Sequence, residues 1–214
     1  MNPENRSLTS ARRFALRSLR YLSYCFLLAG VAAVGYAGYI LADAAGYQAV
    51  ELRKFSHGAP LIEPHLLTLG EVVGQIEIPS LPLSAVIVQG DSPELLRRAV
   101  GHLAETPMPG EWGNVALAGH RDTFFRPLRR IHPGDVIALR TFRGETFQYR
   151  VESTSVVSPT DMEILKPSNG RELTLITCFP FDYIGPAPNR FIVRAFEVAP
   201  TTIPLIQHPG RRIL

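Results

Sequence analysis

"TLITCFPFDYIGPAPNR" spans residues 174–190. A Thr-rich, β-prone run ends on Cys178, and Pro180, Gly185, Pro186 and Pro188 then crowd into a loop that stops at Arg190. β-Branched residues suit a pleated, half-buried surface, whereas Pro and Gly punctuate it. The stretch therefore reads as strand, loop, strand, with a thiol at the lip of the first strand. "RFIVRAFEV" (190–198) carries the second strand on.

Working outward, the same period of two recurs. "VGQIEIP" alternates around Ile76 and Ile78, and "SAVIV" (84–88) follows a Pro-rich turn at "PSLPL". "NVALA" (114–118), "DVIALRT" (135–141), "ETFQYRVESTSVV" (145–157) and "ELTLITC" (172–178) complete a set of seven or eight short strands. "DSPELLRRAVGHL" (91–103) reads as a helix: Asp91 or Ser92 caps it, Pro93 suits its first turn, and Leu95, Leu96 and Val100 line one face. One helix, many short strands and Pro/Gly loops predict a mostly β, largely antiparallel barrel or sandwich.

The N-terminal part is of another kind. Five arginines precede residue 21, with Glu4 as their only acidic neighbour. Without them the remainder holds 17 basic and 18 acidic residues, so the pI near 9.1 describes a short tail and not a nucleic-acid surface. The tail leads into "YLSYCFLLAGVAAVGYAGYILA" (21–42), which carries no charge and, as a helix of about 33 Å, would cross a hydrocarbon layer of about 30 Å. Basic residues before it and Asp43 and Glu51 after it favour a cytoplasmic N-terminus. A cleaved signal peptide is the competing reading, since Ala42-Asp43-Ala44 matches a small-residue cleavage site. Both readings export everything that follows. The expected layout is a basic cytoplasmic tail (1–20), a signal anchor in the plasma membrane (21–42), a stem (43–72) with a short helix around "YQAVELRKF", a β-domain (73–198) and a Pro-rich tail (199–214) that trails over the surface.

Export sharpens the cysteine question. Cys25 sits in the apolar run, so Cys178 is a lone thiol in a compartment that favours disulfides. A thiol becomes a nucleophile with a nearby base or cation. Of six histidines, His57 and His65 fall in the stem, His208 in the tail, His132 in a Pro-Gly turn and His102 near the expected helix end. His120 follows "NVALAG" at a strand end, as Cys178 does, and two strand ends at one rim can form a cleft. Arginine supplies a permanently charged fork for a developing oxyanion. Arg190 starts the strand after the Cys178 loop; Arg121, beside His120 but open to simple solvation, and Arg194, on Arg190's face by period two, compete with it.

Taken together, "ALAGHRDTFFRPLRRIHPGD", "TLITC" and "PAPNRFIV" resemble the sortases, membrane-anchored cysteine transpeptidases of bacterial cell surfaces, and most of all their class D group. The resemblance covers roughly residues 72–198. It implies an eight-stranded β-barrel with Cys178 as nucleophile, His120 as general acid/base and Arg190 as oxyanion or substrate stabiliser. Thr177 matches the threonine of TLxTC, which shapes a substrate groove or simply packs in its strand. Asp122 either orients the imidazole or, as the residue type favours, caps the next helical turn.

The resemblance further implies cleavage of a Leu-Pro-x-Thr-Gly or Leu-Pro-x-Thr-Ala sorting signal on secreted proteins. The thioacyl enzyme would then pass the acyl group to an amine acceptor, a peptidoglycan precursor or a pilin lysine. Acidic residues such as Asp135, Glu145 and Glu163 are scattered, so no metal and no cofactor are expected, and no nucleic-acid partner. Two rival readings remain: an exported cysteine peptidase acting by hydrolysis alone, and a membrane-tethered β-domain whose Cys178 is an inert core thiol.

Overall fold

The computed structural model describes residues 3–56 and 67–198. The Pro-rich tail expected over 199–214 and the stem residues 57–66 lie outside the described residues. Helix α1 runs from Pro3 to Ser56, and its stretch Leu19–Lys54 is apolar and long enough to be a candidate membrane span. The helix continues past the end of the apolar run, where only a short helix was expected. Ala44, Ala45, Gln48, Ala49, Glu51 and Leu52 are mostly strong helix formers and hold no proline, so nothing locally stops it.

Eight strands follow: β1 Val72–Ile78, β2 Leu83–Gln89, β3 Val100–His102, β4 Gly113–Ala118, β5 Val136–Thr141, β6 Thr146–Val157, β7 Arg171–Phe179 and β8 Asn189–Glu197. They close into a barrel in the order β1-β2-β3-β4-β7-β8-β6-β5, with β5 returning to β1. Two pairs, β2 with β3 and β4 with β7, are parallel, and the others are antiparallel. Closure removes free sheet edges. The alternation read in the sequence delivers Ile76, Ile78, Leu117, Ile137, Leu139, Leu173, Leu175 and Val193 to one buried core, with the Tyr149 ring fully enclosed among them. That enclosure pushes the Tyr149 phenol up to about 12.

The helix expected over 91–103 is the main correction. Its start is as read, with Ser92 accepting from the Leu95 N–H and Pro93 in the first turn, but α2 covers only Pro93–Leu96. The chain then turns and enters β3, which pairs with both β2 and β4. A side chain on Gly101 would place its Cβ 2.4 Å from the Gly90 carbonyl oxygen, so glycine admits β3 against the preceding loop. Pairing on both sides outweighs the weak preference of three residues for helix.

The last turns of α1 pack on this part of the barrel. Tyr47 and Leu52 lie against the small cluster of Val86, Val88 and Ala99. Gln48 accepts from the Val86 N–H at 2.8 Å and donates to the Arg98 carbonyl at 2.6 Å. A hydrogen bond contributes about 1 kcal/mol net and buried apolar area adds to it. A chain starting at Gly46 should therefore be more stable to urea, by about 1–3 kcal/mol, than one starting at Leu67. Coinciding unfolding midpoints would show that the helix end contributes nothing.

Candidate active site

Parallel strands begin at one end of a barrel and finish together at the other. In the β4–β7 pair Ala118 faces Ile176, and the next backbone bond runs from the Gly119 N–H to the Ile176 carbonyl at 3.1 Å. The Thr177 hydroxyl then donates to the Gly119 carbonyl at 2.7 Å from a position only 2 % exposed. His120 is thereby held beside the end of β7. On the other side of β7, Cys178 stands directly opposite Arg190 in the antiparallel β7–β8 register. Residues facing each other in this way have Cβ atoms about 4.5–5.5 Å apart. Leu173 and Leu175 face the core, so alternation carries Ile176 and Cys178 to the outer face of the wall. His120, Cys178 and Arg190 are thus brought to one rim, each half-buried.

The turn after β4 is fixed by its own backbone. The His120 carbonyl accepts from the N–H groups of Thr123 at 3.4 Å and Phe125 at 3.1 Å. The fully buried Phe125 ring lies over Gly119, where an added Cβ would come within 2.7 Å of it, so only glycine fits before the histidine. Burial pushes the His120 imidazole below its ordinary value; the Asp122 carboxylate opposes this and the Arg97 guanidinium adds to it. A base with a lowered value is neutral near pH 7 and free to accept a proton.

Asp122 does not act as the expected cap. The next helical turn, a 3-10 turn at Arg126–Arg130, begins after Phe125 and has no side-chain cap. The exposed carboxylate lies 3.7 Å from Arg121 Nε and acts on His120 through its charge. Arg190 Nη1 donates to the carbonyls of Asn189 at 3.1 Å and Ala187 at 3.4 Å, which folds the guanidinium over the end of the β7–β8 connection. Arg194 lies further down β8, 3.5 Å from the buried Glu172 carboxylate. That ion pair separates it from the rim group.

Three residues gain roles that the sequence did not reveal. Arg121, a rival of Arg190 for the charged fork unless simply solvated, is 6 % exposed and donates to the Pro180 carbonyl at 3.0 Å and the Gly185 carbonyl at 2.9 Å. Asn114 is buried, accepts from the Thr174 hydroxyl at 2.7 Å and donates to the Ile164 carbonyl at 2.8 Å, tying the β6–β7 connection to the barrel. His102, placed at a helix end by the sequence, is enclosed on β3 between Gln89 and the Pro107 carbonyl, and burial pushes it below its ordinary value. The signal for Asn114 was a polar residue opening a strand whose other members are apolar. Arg121 was visible as a neighbour of His120, but nothing local distinguishes a clamp from a solvated arginine. Among the described residues no cluster of three or more His, Cys, Asp or Glu side chains could hold a metal.

The sortase-domain family model matches residues 76–198, and the chain belongs to the sortase family. It is 38% identical over 125 residues to Sortase D of Bacillus subtilis, a match that covers 58% of this chain and 63% of that protein. Sortase SrtE1 of Streptomyces coelicolor is 36% identical over 130 residues, with 52% of this chain and 37% of that protein covered. The matches therefore span less than two thirds of either relative's length. Among solved structures, the Sortase D5 transpeptidase of Clostridium perfringens superposes with a TM-score of 0.62 at 26% identity, over 74% of this chain and 99% of that one. Sortase A of Corynebacterium diphtheriae superposes with a TM-score of 0.56 at 31% identity, over 61% and 62%.

The electrostatics of His120 can be read by NMR titration. Its midpoint should lie below about 6.5, the ordinary histidine value. Asp122→Asn should lower it further, since the carboxylate favours the imidazolium, and Arg97→Ala should raise it. Because the folded state then binds fewer protons at this site than the unfolded chain, its contribution to stability falls as pH drops below about 6.5. An upward shift in Asp122→Asn would contradict the assignment.

Proposed function

We propose that this chain is a membrane-anchored transpeptidase that cleaves an LPxTG- or LPxTA-like sorting signal and transfers the acyl part to an amine acceptor. The observation that carries the reading is the double register at one rim: Cys178 opposite Arg190, and Gly119, next to His120, bonded to the strand that bears Cys178. Family membership supports the same chemistry.

The steps follow from the groups present. Neutral His120 takes the thiol proton as Cys178 Sγ bonds to the Thr carbonyl carbon of the Thr–Gly or Thr–Ala peptide bond. The tetrahedral oxyanion develops beside the rim, where the fixed guanidinium fork of Arg190 stabilises it. The imidazolium returns its proton to the departing amine as the C–N bond breaks, leaving a thioester on Cys178. An amine acceptor, a peptidoglycan stem or a pilin lysine, attacks that thioester and restores the thiol. Thr177 supports the site by fastening the His120 turn, and Asp122 supports the charged imidazole.

The proposed layout follows the same logic. Arginine-rich residues 1–20 stay in the cytoplasm, the segment 21–42 spans the plasma membrane, residues 43–72 lead out of it, and the barrel 73–198 works outside. The segment 199–214 is proposed as a tail beyond the catalytic barrel.

Mass spectrometry of the protein with sorting-motif peptides and an amine acceptor tests this directly. The expected product is an acyl adduct on Cys178 that the amine discharges, absent in Cys178→Ala. Discharge by water alone would mean a hydrolase. Alkylation of Cys178 only after unfolding would mean an inert thiol. Arg190→Lys and Arg190→Ala should each lower kcat/KM by at least about 10²-fold, because lysine keeps the charge but not the fork. Full activity in Arg190→Lys would show that charge alone suffices.

A further inference from the structure

Arg121 follows His120 in the chain, yet its guanidinium reaches 59 residues on, to the Pro180 carbonyl, and 64 residues on, to the Gly185 carbonyl. The two contacts use separate nitrogens, Nη1 at 3.0 Å and Nη2 at 2.9 Å. The same group lies 5.8 Å from the centre of the Tyr183 ring, between those two carbonyls in sequence. One planar fork thus grips the β7–β8 connection at two backbone points and one ring. The connection has an apolar hold at its start, where Phe181 packs edge-on to Phe179 and Phe191. Its middle is open: Tyr183 is exposed and Ile184 is 97 % exposed. Asp182 meets Arg126 and Arg129 only at 3.6 and 3.5 Å, through exposed side chains, and such pairs contribute little.

The connection leads into Arg190, whose guanidinium hydrogen-bonds the carbonyls of Ala187, near the end of the connection, and Asn189, the first residue of β8. The path of the loop therefore sets where the Arg190 fork points. We propose that Arg121 is a positioning residue for the reaction: by clamping the β7–β8 loop to the turn that carries His120, it holds Arg190 in its working orientation. The inference rests on the transfer reaction proposed above. A lysine would supply one point donor in place of two diverging ones, so it can satisfy only one of the two carbonyls.

The test is a double-mutant cycle on the full chain, with steady-state cleavage of a sorting-motif peptide as readout and near-UV circular dichroism to confirm packing. Arg121→Ala should lower kcat by about 10–10²-fold with a much smaller change in KM, and Arg121→Lys should recover little of it. In the Arg190→Ala background, Arg121→Ala should cost almost nothing further, since the group it orients is gone. A merely structural arginine would instead give losses that multiply, and that result would overturn the proposal. So would near wild-type activity in Arg121→Lys, which keeps the buried charge and serves as the informative variant where Arg121→Ala does not fold. Hydrogen exchange over residues 181–188 reports the clamp without any activity: it should speed up in Arg121→Lys, and unchanged exchange would refute the clamp. Absence of Cys178-dependent cleavage in the unsubstituted protein removes the proposed reaction itself, and the positioning role with it. An active protein indifferent to Arg121 removes only the present inference.

Discussion

The site depends on the parallel pairing of β4 with β7. These strands lie 58 residues apart in sequence at Ala118 and Ile176, and their ladder runs without a register shift from Gly113–Arg171 to Ala118–Ile176. Parallel neighbours share a direction, so the residues that leave their C-terminal ends emerge on one rim. An antiparallel pairing of the same strands would put His120 and Cys178 at opposite ends of a six-residue ladder, about 20 Å apart at the usual rise. Slipping the register by one residue would turn Cys178 into the core and Thr177 outward. The buried Leu173 and Leu175 on one face oppose that slip, because it would expose both.

Buried polar groups refine what the ladder sets coarsely. The Thr177 hydroxyl extends the β4–β7 pairing one step past the last backbone bond, onto the residue before His120. Asn114 acts at the far end of the same pair, where its amide satisfies one carbonyl of the β6–β7 connection and accepts a hydroxyl from β7. Both are enclosed, so losing either partner would leave a desolvated group costing about 1–3 kcal/mol. Valine can replace a threonine in volume, but not this bond. The arrangement gives the two ends of the β4–β7 unit separate tasks: one anchors the β6–β7 connection, the other fixes the turn that carries His120.

Charge around the rim divides in a similar way. At the rim the guanidiniums of Arg121 and Arg190 are occupied by backbone carbonyls, while away from it Arg194 meets the buried Glu172 and Arg171 meets Glu197 at 3.1 Å. His120 sits between the opposed influences of Asp122 and Arg97 while burial keeps it neutral. A histidine lowered by burial and arginines fixed by carbonyls give this rim little free charge of its own.

The sequence alone determined what local chemistry can encode. Period-two alternation and short apolar runs bounded by turn residues located seven strands to within one or two residues. The charge-free run was legible as a span candidate because its length and composition suffice without any partner. Cys178, His120 and Arg190 could be singled out by residue type and by their places at strand ends. Tertiary structure decided the rest. β3 could not be read, because Leu95, Leu96 and Val100 also fit a helix and only pairing with β2 and β4 excludes it beyond Leu96. Arg121 looked like a solvated neighbour of His120 because its partners are carbonyls of a loop that approaches only once the barrel has closed. The convergence of the rim was likewise invisible in one dimension: hydrogen-bond direction and register between distant strands are properties of the folded sheet, and no local pattern carries them.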